Sequence, residues 1–428
     1  MRSGVAPDHP EVKSVENDFR VVADDPRFRF IGNASVGTTI PVETLRKNYA
    51  GVVLATGAQS RRQLKIPGSD LTGVMDARTF VDWYNGSPGF TALPGSFEER
   101  LPSVDTAVII GNGNVALDCA RMLVKQPSDL AQTDIAQHAL DVLSRCSIKH
   151  VHVVGRRGTV QAAFTIKELR ELMQLQGVTT VLHPDEVARG MTPASQAELA
   201  ESRPRKRQDK LLRSMPSAEG APQDTKHVHL RFCQGPVACG GDDAASVSSL
   251  RLQSMQLQGG AGGQKASAGG GEQTLECQLV LSSIGYSSTM IPGVPFDAER
   301  GVVPSFRARV VQGGAALQGL YVTGWLRRGP SGIIGTNIVD AKETVAAVME
   351  DVRQGACGEG VRGGLEAVLD GMTAQGSRFV TWQGAKAILS AEEARGGAVG
   401  KPREKLTDVA SMLGVAEECQ GGVWDTRH

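Results

Sequence analysis

Aromatic residues are scarce in this chain of 428 residues: 4 Trp, 4 Tyr and 11 Phe, 4 % in all. That argues against the aromatic platforms on which single-stranded bases stack. Net charge is also missing, with 46 basic residues against 46 acidic ones, so no global field draws the chain onto nucleic acid or an anionic membrane. No apolar run approaches the ~18 residues that suggest a transmembrane span. The seven cysteines (119, 146, 233, 239, 277, 357 and 419) contain no C-x-x-C pair, which excludes thioredoxin-like exchange and a zinc ribbon. They are expected as free thiols in a reducing compartment, several of them in the core, and no metal site is expected. The first residues lack the apolar stretch of a signal peptide, and Asp8 with Glu11 does not suit a transit peptide. They read like the interior of a domain, which suggests that a natural beginning is missing.

What is present is more specific. Thr106 to Ile110 reads as a short buried strand, followed by Gly111-Asn112-Gly113-Asn114-Val115-Ala116, a G-x-G-x-x-A turn. Gly111 permits the tight turn, Gly113 lets backbone approach a pyrophosphate, and Ala116 lets the next helix pack on the strand. Ala116, Ala120, Leu123 and Val124 fall at helical spacing behind it. A second strand, Val151 to Val154, ends in Gly155-Arg156-Arg157. An NAD site places a carboxylate there for the ribose 2′-OH, whereas guanidinium groups clamp a 2′-phosphate. The pattern therefore points to NADP. The distance to the arginines is about twice the usual ~20 residues, so an insertion of roughly 125–147 is expected. A structural turn with a surface arginine pair is the competing explanation.

The length allows two or three domains. Val52 to Leu54 runs into Ala-Thr-Gly-Ala, Leu279 to Ile284 into Gly-Tyr, and Gly319 to Val322 into Thr-Gly-Trp. Strand ends of this kind bring backbone close to a bound cofactor. Three of them around one dinucleotide turn favour an α/β protein with two dinucleotide sites. A helix is expected at about 165–175, a basic stretch at Arg203, Arg205, Lys206, Arg207 and Lys210, and a flexible Gly/Ser/Gln-rich loop at 235–273.

Several stretches together resemble one family. They are Gly-Val-Ala-Pro-Asp-His-Pro (4–10), Ala-Thr-Gly-Ala (55–58), Gly-Asn-Gly-Asn-Val-Ala-Leu-Asp (111–118), Val-Gly-Arg-Arg-Gly (154–158), Phe-Thr-Ile-Lys-Glu-Leu-Arg-Glu (164–171), Gly-Trp-Leu-Arg-Arg-Gly-Pro-Ser-Gly-Ile-Ile-Gly-Thr-Asn (324–337) and Gly-Lys-Pro-Arg-Glu-Lys-Leu (400–406). The chain resembles adrenodoxin reductase, the mitochondrial-type ferredoxin–NADP reductase, which also has bacterial members. The resemblance implies two Rossmann-like domains. The FAD domain would be discontinuous and N-terminally truncated, a remnant at 1–65 continued at 291–428, with an NADP domain at 66–290. The family opens with its own G-x-G-x-x-G unit for the ADP half of FAD, and that unit is expected to be lacking here.

Carried over by resemblance, NADP falls on Asn112, Gly113, Asn114, Val115, Arg156, Arg157 and Glu168, and on Gly332, where nicotinamide and flavin meet. FAD falls on Val36, Trp325, Gly332, Ile333 and Ile334. His9 and Glu171 resemble the residues lining the nicotinamide pocket. A turn residue at His9 and an ordinary ion pair of Glu171 with Lys167 are the alternatives. The implied activity passes hydride from NADPH to FAD, then single electrons to an acidic [2Fe–2S] ferredoxin. That partner would dock transiently on Arg203, Arg205, Lys206, Arg207 and Lys210. The resemblance further implies a monomer in the mitochondrial matrix, peripheral to the inner membrane, feeding cytochrome P450, steroid or iron–sulfur cluster pathways. The alternatives are another NADPH-dependent flavin oxidoreductase, or a catalytically dead NADP-binding truncation.

Overall fold

The two strands flanking the glycine turn lie side by side in a six-stranded, wholly parallel sheet. In chain order its members are β1 (Val74–Asp76), β2 (Thr106–Ile110), β3 (His150–Val154), β4 (Val178–Leu182), β5 (Lys226–Arg231) and β9 (Leu279–Ser282). They are arranged β1-β9-β2-β3-β5-β4. The computed structural model describes residues 2–222, 224–242, 245–332, 334–357 and 363–420.

The helices α1 (Ala77–Tyr84), α2 (Asn114–Val124) and α3 (Ile166–Met173) belong with this sheet. Ala107 and Ile109 of β2, with Val151 and Val153 of β3, bury against Ala116, Leu117, Ala120 and Leu123 of α2. Val108, Ile110 and Val154 point to the opposite face, as the two-residue period of a strand requires. There they meet Val247, Leu250 and Leu252 of a second, antiparallel sheet. That sheet consists of β6 (Gln234–Gly241), β7 (Val247–Gln258) and β8 (Lys265–Glu276).

The second sheet corrects the expectation of a flexible loop at 235–273. The segment is poor in apolar residues, but Val247, Leu250 and Leu252 fall where they can cover the parallel sheet, while the ladder satisfies the backbone. Most of the other Gly, Ser and Gln are exposed or half-buried, while Ser246 and Gln264 are buried with hydrogen bonds of their own, so composition misled where position did not.

The insertion at 125–147 is also ordered, with short helices Pro127–Leu130 and Gln137–Leu143. Leu130, Ile135, Ala139 and Leu140 sit in the main core.

The opposite face of β3 and β5 is unusual. His150 pairs in register with His227, and His152 with His229, so imidazoles line a face whose reverse carries Val151, Val153, Val228 and Leu230. His152 and His229 stack with centroids 4.2 Å apart. Burial, and then the neighbouring His183, His150 and His227, push His229 down to about 3.

The chain separates into two compact units. The first comprises Met1–Val22, Gln63–Ile284 and Ile388–Met412, and the second Ala23–Arg62, Gly285–Ala387 and Leu413–His428. The first residues and the 388–412 segment thus group with the parallel sheet, not with the C-terminal part as the expected boundaries had them. In the second unit, Val52–Leu54 runs parallel to Ala315–Val322, and Arg309–Gln312 and Ser305–Phe306 extend the sheet antiparallel. Its core is formed by Leu54, Val310, Leu320, Val322 and Leu326.

Candidate functional site

Gly111 adopts φ +131°, and a Cβ there would collide with the Ser283 carbonyl oxygen. Only glycine allows β2 and β9 to approach this closely at their ends. Gly113 caps α2 with extended backbone and no side-chain cap, and nothing lies within 4 Å of where its Cβ would be. The first N–H groups of a helix have no intrahelical acceptor, and the dipole makes that end positive. Asn112 and Asn114 fix the neighbouring loop. The Asn112 carbonyl accepts from Ala163 N and Phe164 N, and Asn114 Oδ1 accepts from Thr165 N at 2.8 Å. Asn112 to Val115 are half-buried, so the α2 N-terminus is at once rigid and reachable. Arg156 and Arg157 stand exposed just past β3, and neither is in an ion pair among the described residues. Two unpaired guanidinium groups next to an uncapped helix N-terminus suit a dinucleotide with an extra phosphate.

Behind α2 lies a buried charge cluster that the sequence reading found only in part. Arg121 of α2 has 1 % of its side chain exposed and pairs with Asp118 (2.7 Å), Glu168 (2.9 Å) and Asp8 (3.1 Å). His9 Nε2 lies 2.8 Å from Glu171 Oε2 and 2.9 Å from Arg121 Nη2. Lys125 adds a bond to Asp8 at 3.0 Å. The structure therefore brings His9, Glu168 and Glu171 together around Arg121, while Lys167 also lies 3.7 Å from Glu171. Burial alone would raise Asp8, but the Arg121 guanidinium and Lys125 outweigh it and hold that carboxyl at about 2. For Asp118 burial wins over Arg121, and the carboxyl rises to about 6. Asp118 and Arg121 on α2, Lys125 just past its end and Asp8 before the first helix were missed because a charged residue looks solvated until the partner segment is placed over it. Arg121 at an α2 position between Ala120 and Met122 was the available signal.

The residues on which FAD is expected by resemblance lie in the second unit. Gly324 N-caps the short helix Trp325–Arg328. Trp325 stacks on Tyr286 at 5.7 Å, and its Nε1 is buried with no partner among the described residues, as is Thr323 Oγ1. Orphaned buried donors of this kind call for a polar ligand, so these residues fit the polar edge of an isoalloxazine. Gly332 takes φ +85°, where a Cβ would strike Thr336, and α6 (Ile334–Arg353) begins two residues later. Val36 is half-buried beside this unit's core. Ile333 lies outside the described residues.

The basic stretch is a helix. After α4 (Pro193–Glu201), α5 (Arg203–Leu212) is N-capped by the Ser202 hydroxyl, which accepts from Arg205 N. Arg205 is tied to Glu198 of α4 at 2.9 Å. Arg203, Lys206, Arg207 and Lys210 remain exposed at the three- and four-residue spacings that form one helix face. Arg207 also borders a cavity of about 460 Å³ lined with Lys167, Arg170, Glu171 and Gln174.

A parallel sheet with a strand–glycine turn–helix at its centre is the α/β fold of the pyridine-nucleotide oxidoreductases. The Pyridine nucleotide-disulphide oxidoreductase family matches residues 2–196. That match begins at residue 2, and the expectation of a missing front unit draws no support from it.

The chain is 41 % identical to NADPH:adrenodoxin oxidoreductase, mitochondrial, of Arabidopsis thaliana, across 97 % of this chain and 87 % of that one. It is 41 % identical to the protein of the same name from Homo sapiens, across 96 % and 83 %. Mycobacterium tuberculosis FprA, solved in complex with NADPH, superposes with a TM-score of 0.88 at 39 % identity, covering 97 % of this chain and 89 % of that one. The chain belongs to the adrenodoxin reductase and NADPH-ferredoxin reductase family of oxidoreductases.

Proposed function

We propose that this chain oxidises NADPH with FAD as its resident group and delivers electrons singly to a [2Fe–2S] ferredoxin. The observation that carries the reading is the uncapped N-terminus of α2 at Gly113 beside the unpaired Arg156 and Arg157. Asn112 to Val115 take the pyrophosphate, and the two guanidinium groups take the 2′-phosphate. FAD, when bound, converts a two-electron donor into a supply of single electrons. Val36, Trp325, Gly332, Ile333 and Ile334 are the residues that would hold its ring end, with the unpartnered Trp325 Nε1 as a donor.

His9 and Glu171 act by position and charge. A hydride moves without a proton leaving carbon, so neither residue is asked to abstract one. His9 Nε2 either donates to Glu171 or, without its proton, accepts from Arg121, and either bond fixes the ring. Glu168, bound to Arg121, sets the charge at the same place. The exposed face of α5 is the docking surface we assign to the acidic ferredoxin, in a transient complex with the enzyme as a monomer. The plant and human relatives carry mitochondrial names and the Mycobacterium relative does not, so the family spans both settings. We place the eukaryotic role in P450, steroid or iron–sulfur cluster pathways. No helix among the described residues is long and apolar enough to cross a membrane.

The test is nucleotide choice. Replacing both Arg156 and Arg157 by Ala should weaken NADPH binding by about 2–4 kcal/mol, the scale of lost charge-assisted bonds to phosphate. NADH binding should hardly change. Equal losses for the two nucleotides in a direct binding titration would remove the arginines from the site.

A further inference from the structure

Five of the eight histidines of the chain collect at one place: His150 and His152 on β3, His227 and His229 on β5, and His183 just after β4. We propose that His150, His227 and His229 form a binding site for a divalent transition-metal ion of the zinc type, with the fourth position open to water or a small ligand.

One ring nitrogen from each of the three lies within 4.8 Å of the others. His150 Nδ1 and His229 Nε2 are 3.2 Å apart. Two imidazoles bound tetrahedrally, each at ~2.0–2.1 Å from the ion, hold their nitrogens ~3.3 Å apart, so this edge is already set. A proton between the two nitrogens makes a hydrogen bond, and a cation between them makes two ligand bonds.

The far sides of the His227 and His229 rings are arranged as metal-binding histidines require. A ligating imidazole gives its other N–H to a protein acceptor, which fixes the tautomer. His227 Nε2 donates to the Pro222 carbonyl at 2.7 Å, leaving Nδ1 as its lone pair. His229 Nδ1 faces His183 Nε2 at 3.4 Å, leaving Nε2 for the ion. His152 stacks on His229, and its Nδ1 is buried with no partner among the described residues. The protein thus leaves hydrogen-bonding capacity in this row unmet.

Three imidazoles and no carboxylate select zinc, copper, nickel or cobalt over magnesium or calcium. His227 and His229 are buried, while His150 is half-buried and gives the ion a way in. His150 opens β3, whereas the arginines lie beyond the other end of that strand. The site is therefore separate from the one assigned to the nucleotide. The cysteine spacing, which excluded a sulfur site, said nothing about ligands brought together by strand register.

The test is a titration of chelator-treated full-length chain with Co²⁺ above about pH 7, where free imidazole is neutral, followed by Zn²⁺ competition. The wild type should take up one equivalent, with the visible absorption of tetrahedral Co²⁺, and Zn²⁺ should displace it. His150→Asn and His229→Asn should each weaken binding by about tenfold or more. His138→Asn, at a ring that instead bonds the Trp83 carbonyl, should bind like the wild type. Absence of a saturable one-equivalent signal in the wild type, or equal binding by His150→Asn, would overturn the proposal. Should His229→Asn fail to fold, the half-exposed His150→Asn still decides it.

Discussion

Around Arg121, two carboxyl groups depart from their ordinary values in opposite directions, and their signs determine how acid affects the protein. Asp118 rises to about 6 in the folded chain. It therefore holds a proton that the unfolded chain releases, and its stabilisation is complete below about pH 4 and is lost as pH rises through 6. Asp8, held at about 2, contributes stability that is complete above about pH 4 and is lost as pH falls through 2. Asp118→Asn should flatten the decline between pH 4 and 6 and gain on the order of 1–3 kcal/mol near neutrality. Asp8→Asn should lose a similar amount there. Thermal melts across pH 3–8 would read both, and parallel curves for the two variants would mean that the assigned titrations are wrong. The turn at Gly111 and Gly113, and the exposed arginines just past β3, could be placed from sequence because a strand–turn–helix is a local device whose geometry is written in adjacent residues. Arg121 could not, because its partners come from residue 8 and from 168, and only the fold brings them together.

At the level of elements, the α5 helix carries the docking prediction. Arg205 is already occupied by Glu198, so the face offered to a partner consists of Arg203, Lys206, Arg207 and Lys210. Lys206→Glu with Lys210→Glu should cut ferredoxin-dependent cytochrome c reduction about tenfold or more at low salt, with the difference shrinking as salt rises. Direct dye reduction by NADPH should stay near the wild-type rate. A parallel fall in both activities would make the face structural. Helix and strand periods announced β2, α2, β3 and α3. The pair β7 and β8 escaped notice because few of its residues face a core, and a ladder can be built on backbone alone when the far side has only a few apolar anchors.

For the molecule as a whole, the run 400–406 explains itself as a fastener within the first unit. Lys401 donates to the Ile135 carbonyl and to Gln137, Arg403 pairs with Glu16, and Lys405 donates to the Asp134 carbonyl at 2.7 Å. Asp134 also receives Lys13 at 2.5 Å. Burial, working against Asp134, brings Lys405 down to about 7. Asp134→Ala would leave the ammonium groups of Lys13 and Lys405 buried without their carboxylate, at a cost of about 3–5 kcal/mol. Its melting temperature should drop, and limited proteolysis should open the chain near 388–412. An unchanged melt would show that the carboxylate is not what holds the two lysines.

The same three-part construction of the first unit bears on how the chain is made. Its sheet is encoded by residue 284, but the fastener at 400–406 lies beyond the whole of 285–387, which belongs to the other unit. At synthesis rates of ~5–20 residues per second, the finished sheet waits on the order of 5–20 s for its last segment to leave the ribosome. Through that interval Asp134 has Lys13 but not Lys405, and the surface that 388–412 will cover is open to chaperones.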